Sequence, residues 1–187
     1  MTKVDVESPE AVSLDAATRS DALLLFNLLE LYIHDLSDVF PHIELGPDGR
    51  FGYERLPLYW SEPERRFAFL IRSGGRVAGF VLATRGSPGS DDPDVLDVAE
   101  FFVLRQHRRS GVGRRAAFLL WNRLPGKWAV RVAECNRGAL AFWRGVVAEF
   151  TKGTATESMR PGNASAWRVL SFESAADIDV FAREPGS

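Results

Sequence analysis

The chain has a single cysteine, Cys135, in 187 residues. A lone thiol excludes an internal disulfide and any metal site built on several thiolates, and a cysteine at a strand end is expected to act as small core filling. The three histidines, His34, His42 and His107, lack metal-ligand spacing, so no metal is expected. Lysine is scarce as well: Lys3, Lys127 and Lys152 are the only ones, and arginine supplies the rest of the 23 basic residues. Against 25 acidic residues this leaves a formal charge of −2, which argues against a nucleic-acid partner. No apolar run approaches the ~18 residues of a membrane span, and MTKVDVESPE carries no signal-peptide pattern. The expected setting is the cytoplasm, without a membrane partner. Internal repeats and low-complexity tracts are missing too.

What is present is enough apolar residue, 45% of the chain, to bury one substantial core, so one domain over 1–187 is expected, with a polar tail at 174–187. An edge strand is expected within residues 4–14, and a helix from about Arg19 to Asp38, capped by Asp15 or Thr18. Residues 41–60 mix proline, glycine and large aromatics, which reads as a loop and a short helix near Glu54 to Trp60; their aromatics either line a pocket or plug a core edge. RRFAFLIR and VAGFVLATR alternate around Ser73-Gly74-Gly75-Arg76 and predict an antiparallel hairpin. A strand at 95–105, a helix to about Leu124, and a strand KWAVRVAE parallel to the previous one follow. Then come a helix at 136–146 and two strands, Val147 to Thr154 and Ser165 to Phe172.

The most informative stretch is VAEFFVLRQHRRSGVGRRAAFLLW, a strand that runs into a glycine loop opening an amphipathic helix. Gly111 and Gly113 remove side chains that would keep an anion off the backbone, and the first-turn N–H groups of the helix point at it without an internal partner. Arg108, Arg109, Arg114 and Arg115 add opposite charge around the loop. Two other readings compete. The glycines are a plain turn with Ser110 as N-cap, or Gly111-x-Gly113-x-x-Ala116 with Glu134 roughly 20 residues on is a dinucleotide fingerprint and the chain an NAD(P)-binding oxidoreductase. Gln106 to Ser110 stand between strand and glycines, and further βαβ repeats are lacking, both of which argue against the dinucleotide reading.

Over about Asp15 to Phe172 the chain resembles the GNAT superfamily of N-acetyltransferases. Its signature loop R-x-x-G-x-G stands as Arg108-Arg109-Ser110-Gly111-Val112-Gly113, after a strand ending Phe101-Phe102-Val103. A second element, an Asn, then an Ala and an aromatic pair after the next strand, stands as Asn136, Ala139, Phe142 and Trp143. The resemblance implies an α/β fold with a mixed, mostly antiparallel central sheet, a splayed parallel strand pair and about four flanking helices, in one N-acetyltransferase domain. It also implies that acetyl-CoA is the co-substrate. Backbone groups of Phe101, Phe102 and Val103 would pair with the pantetheine arm, and the Val103 N–H would sit near the thioester oxygen. Backbone amides from Arg109 to Arg114 would hold the pyrophosphate, Asn136 would hydrogen-bond the arm, and Ala139 and Phe142 would pack beside it.

Such a site transfers acetyl directly to an amine, which is mostly protonated at neutral pH and must lose a proton. Glu100, three residues before Val103, is the expected base, with Asp97 second and a salt bridge as the structural alternative for Glu100. Diamine acetyltransferases resemble this stretch but carry an acidic pair where this chain has Ala99-Glu100. Many family members also place a tyrosine, which protonates the departing thiolate, where this chain has Trp143; tryptophan cannot serve as that acid. A CoA-binding module without catalysis is therefore kept as an alternative. For the acceptor, a small-molecule or peptide amine, the acids Asp35, Asp38, Glu44 and Asp48 are expected to shape a pocket suited to a cation. Monomer and homodimer are both open.

Overall fold

A computed structural model describes residues 11–162 and 165–175. Seven strands form one sheet: β1 (Val12–Ala16), β2 (Arg66–Ser73), β3 (Arg76–Arg85), β4 (Leu96–Val103), β5 (Gly126–Ala133), β6 (Thr156–Arg160) and β7 (Trp167–Ser174), in the order β1-β2-β3-β4-β5-β7-β6. Four helices accompany it among the described residues: α1 (Ala22–Ser37), α2 (Leu58–Ser61), α3 (Val112–Arg123) and α4 (Arg137–Phe150). The fold is the expected mixed sheet with one parallel pair, β4 and β5, linked through α3. Every other pairing is antiparallel. A sheet with one parallel pair is not the mostly parallel sheet of a dinucleotide-binding fold, which removes the oxidoreductase alternative.

Local chemistry accounts for the elements. Ser73 pairs with Arg76, so the hairpin closes through Gly74-Gly75 alone, and both glycines have positive φ, 56° and 76°, as a primed two-residue turn requires. Thr18 opens the first helical segment, its N–H donating to Asp21 Oδ2 at 2.8 Å. The strand expected over Val147 to Thr154 is instead the last turns of α4 and a following turn. Leu140, Trp143, Val146 and Val147 are buried at helical spacing, and this packing carries the helix through Gly145, so the 3.6-residue period extends past residue 146. The strand that fills this place in the sheet is β6, whose five residues are all exposed. Residues 1–10 and 176–187, and with them most of the edge strand expected within residues 4–14 and most of the polar tail, lie outside the described residues.

The sheet separates two apolar layers of different character. On one face α3 and α4 contribute Ala116, Leu120, Trp121 and Trp143 against Val81, Leu96, Val98 and Val130. On the other face α1 and α2 set Leu25, Leu28, Leu29 and Tyr59 against Leu70, Phe80, Leu82 and Phe102. Strand β4 contributes to both layers, and its irregularity decides which side chain goes where.

Candidate functional site

Two features of β4 build the site. The first is that its pairing with β5 is very short: Leu96 lies opposite Trp128 and Asp97 opposite Ala129, and no pair follows. Beyond Asp97 the strands diverge, which is the splay. Leu104 N donates to Ala78 O at 2.8 Å, so by antiparallel alternation Phe102 and Glu100 turn their peptide groups toward β3, while Phe101 and Val103 turn theirs toward the open side. Of the three residues expected along the arm, Phe101 and Val103 thus present peptide groups at the gap, and Phe102 presents its own to β3. The Val103 carbonyl accepts from Arg108 Nε at 2.7 Å.

The second feature is a bulge. Leu82 pairs with Glu100 and Ala83 with Val98, leaving Ala99 as the extra residue. Without it Glu100 would fall in phase with Leu96 and Val98, in the α3/α4 layer. With it Glu100 reaches the α1/α2 side, where the Tyr53 hydroxyl donates to its Oε1 at 3.1 Å. Burial pushes the Glu100 carboxyl above its ordinary range; hydrogen bonding from Tyr32 and Tyr53 and the charge of Arg131 offset this in part, and Asp97 adds to it. The hydroxyls of Tyr32, Tyr53 and Tyr59 are all pushed up, by burial first and then by the Glu100 charge, so they remain protonated donors.

Glu100 lines a cavity of about 270 Å³ with Tyr53, Tyr59, Asp97 and Arg131. Asp97, the second acid, is fully buried and fully engaged: Arg131 donates to both its oxygens at 2.8 Å, and Ser87 Oγ donates to Oδ1 at 2.7 Å. This is a bidentate ion pair that orders the floor of the cavity. The acids expected to shape an acceptor pocket do not line this cavity. Asp35 accepts from Arg105 and Arg108, and although burial works in the other direction these hydrogen bonds hold its carboxyl below the usual range. Asp38, Glu44 and Asp48 are exposed, and none of the four borders the cavity. The residues that do border it come from several distant segments, which is why no local pattern announces the set as a whole. Two signals in the sequence touch it: the acids Glu100 and Asp97 before Phe101-Phe102-Val103, and the aromatics of residues 41–60, through Tyr53 and Tyr59.

The glycine loop is held from beneath. Arg108 binds Asp35 and the Val103 carbonyl and lies 5.5 Å from the Phe102 ring, which ties the loop to α1 and to the end of β4. Ser110 is not the N-cap: its hydroxyl donates to His107 O at 2.8 Å, and the cap position is Gly111, left-handed at φ 83°, with no side-chain cap. Arg109 is left-handed too, at φ 65°. The N–H groups of Val112, Gly113 and Arg114 precede the first helical bond, Arg115 N to Gly111 O, and make a nest of the kind that receives anions. The Arg114 guanidinium itself pairs with Glu149 at 2.6 Å.

The remaining motif residues gather around this loop. A Cβ on Gly113 would stand 3.2 Å from the Phe142 ring and 3.5 Å from Val103 Cγ2, so the loop, β4 and α4 meet there. Asn136 caps α4, its Oδ1 accepting from Ala139 N at 3.1 Å, which places Ala139 on the same first turn. Trp143 is buried against Phe101, 4.9 Å between ring centres, and near Trp121 at 6.1 Å. It is a core residue. Cys135 is exposed and fills no core. Among the described residues no group of His, Cys, Asp or Glu is placed to hold a metal, and no helix is long and apolar enough to cross a membrane.

A splayed parallel pair, an uncapped glycine nest at the start of α3 and a carboxylate on the bulged strand between them define an acetyltransferase architecture. The chain belongs to the Acetyltransferase (GNAT) family, whose model matches residues 28–146. Solved structures agree in fold. An acetyltransferase from Thermus thermophilus is 20% identical, with 87% of this chain and 97% of that one covered at a TM-score of 0.64. A spermidine N-acetyltransferase from Vibrio cholerae, in complex with CoA and spermine, is 14% identical, covering 87% and 95% at 0.58. An acetyltransferase structure from Salmonella typhimurium with acetyl-CoA is 12% identical, covering 88% and 95% at 0.57. No curated protein matches the chain.

Proposed function

We propose that the chain transfers the acetyl group of acetyl-CoA directly to an amine of a small molecule or peptide, with Glu100 as the base. The observation that carries this reading is the bulge at Ala99, which puts a carboxyl of raised pKa on the cavity side while the next residue, Phe101, keeps its peptide groups on the open edge of β4. Donor and base are then neighbours along one strand.

On the donor side, the backbone amides from Arg109 to Arg114 receive the pyrophosphate, with Arg108 holding the loop in place and Ser110 bracing its turn. The peptide groups of Phe101 and Val103 align the arm as an added strand would. The Val103 N–H faces the thioester oxygen, and a donor fixed there favours charge developing on that oxygen. Asn136, Ala139 and Phe142 border the arm from α4. Acetyl-CoA supplies an activated acyl group and a thiolate leaving group; no metal is required.

On the acceptor side, Glu100 takes the proton of the incoming ammonium, directly or through water. A carboxyl raised by burial is a better base at neutral pH than an exposed one. Tyr53 orients it by donating to Oε1. With Trp143 buried, the thiolate is protonated by water or by a hydroxyl on the cavity side. In this proposal 1–187 is one N-acetyltransferase domain acting in the cytoplasm, as monomer or homodimer, on neither nucleic acid nor membrane.

The test is an amine panel with acetyl-CoA, following free thiol release. Amine-dependent release supports the reading. Tight acetyl-CoA binding without release to any amine, peptide N-termini included, would leave a CoA-binding module without catalysis.

A further inference from the structure

The cavity beside Glu100 is richer in cations than an amine-binding pocket has reason to be. Five arginines border it, Arg55, Arg65, Arg66, Arg85 and Arg131, against three acids, Glu62, Asp97 and Glu100. Two of the arginines are neutralised in place: Arg131 by Asp97 at 2.8 Å and Arg66 by Glu62 at 2.7 Å. The other three have no carboxylate partner among the described residues. The backbones of Arg65 and Arg85 are moreover paired. Arg85 N donates to Arg65 O at 2.7 Å, Arg65 Nη2 donates back to Arg85 O at 3.4 Å, and Arg85 Nη1 reaches only the backbone carbonyl of Asp94, at 3.3 Å. Both guanidinium groups are thus met only by backbone carbonyls, and an anion would supply the countercharge that no carboxylate provides. Glu100 accepts from Tyr53 and forms no ion pair with either of them.

We infer that the acceptor is an amine that also carries an anionic group, a carboxylate or a phosphate, bound by Arg65 and Arg85 while its amine faces Glu100. This rests on the acetyl-transfer reading given above. It adds the substrate class, and it is opposite in sign to a polycation. Leu82 pairs with Glu100, and Arg85 lies three residues further along β3, so the backbones that carry the base and Arg85 are about 10 Å apart along the strand. A long arginine side chain shortens that span, so the acceptor separates amine and anion by several bonds. Arg55, exposed at the rim of the same cavity, adds to the field that draws such a molecule in.

Two measurements test the inference separately from the reading beneath it. In the first, inorganic phosphate is titrated calorimetrically into CoA-saturated protein, so that the glycine loop is already filled. Millimolar binding is expected, weakened at least about tenfold in the double variant Arg65→Ala/Arg85→Ala. No binding, or equal binding in the variant, overturns the inference. In the second, kcat/KM is compared for ω-amino acids of increasing length, the alkylamines of matching length, and the matching diamines. The amino acids are expected to exceed the alkylamines by about tenfold or more, the diamines to be poorest, and the double variant to bring the amino acid to alkylamine ratio close to one. Equal use of all amines, or a preference for diamines, overturns the inference and leaves acetyl transfer standing. Failure of every amine removes acetyl transfer, and the phosphate titration then decides the anion site on its own.

Discussion

In the proposed reading, the donor and acceptor halves of this site are made of different material. The donor half is backbone: amides of the loop from Arg109 to Arg114 and the peptide edge of Phe101 and Val103, with side chains such as Arg108 and Ser110 bracing the main chain. The acceptor half is side chain: Glu100, Tyr53, Tyr59 and a set of arginines, some paired and some not. A backbone site needs glycine and a fixed spacing, and it can receive the same anion in many proteins. A side-chain site is set by residue identity at positions far apart in the chain, and so it is the half in which specificity resides.

The same difference explains what could be read from the sequence. The hairpin around Gly74-Gly75, the β4 to α3 passage and the parallel β5 were legible because alternation and glycine spacing are local signals. The cavity was not, since Tyr53, Arg85, Glu100 and Arg131 become neighbours only once the sheet forms. The acids at 35–48 drew attention by clustering in sequence, yet Asp35 serves Arg105 and Arg108 and the others face solvent. The bulge at Ala99 leaves no mark in LDVAEFFV, where simple alternation sends Glu100 to the wrong face. The last turn of α4 departs from the expected strand because Val147, which suits a strand by propensity, is buried in the layer that holds Trp121 and Val130, and packing overrides propensity.

Four substitutions sharpen or break the comparison. Glu100→Gln is expected to lower kcat/KM by about 10²–10³, the range of a positioned base, without changing acetyl-CoA affinity by calorimetry. Because the folded pKa of Glu100 is raised, its ionised form costs stability at neutral pH, and this cost fades as pH falls; the Gln variant should therefore melt no lower than the parent at pH 7 and above. On the donor half, Gly111→Asp forces a side chain into φ 83° and sets a carboxylate in the nest, and acetyl-CoA binding should weaken by roughly 10² in the same calorimetry. Retained affinity would move the pyrophosphate elsewhere. Gly79→Ala strikes both halves at once, since its Cβ would stand 2.0 Å from Phe102 O and β4 must shift. A loss of about 1–3 kcal/mol in denaturant unfolding is expected, with activity falling alongside. Tyr53→Phe is the mildest. Its hydrogen bond lowers the Glu100 pKa, so removal should displace the acidic limb of the pH–rate profile upward and cost a few-fold, on the order of 1 kcal/mol, in kcat/KM near neutrality.

The central claim, that a backbone donor site is served by one base on the opposite side of β4, is tested most directly by the pH dependence of kcat/KM for an accepted amine at saturating acetyl-CoA. In the parent protein the rate is expected to fall as pH drops through the raised Glu100 pKa, and in Glu100→Gln that acidic limb should disappear with the residual rate low throughout. A Gln variant that keeps both the limb and the rate would show that another group removes the proton, and would contradict the account.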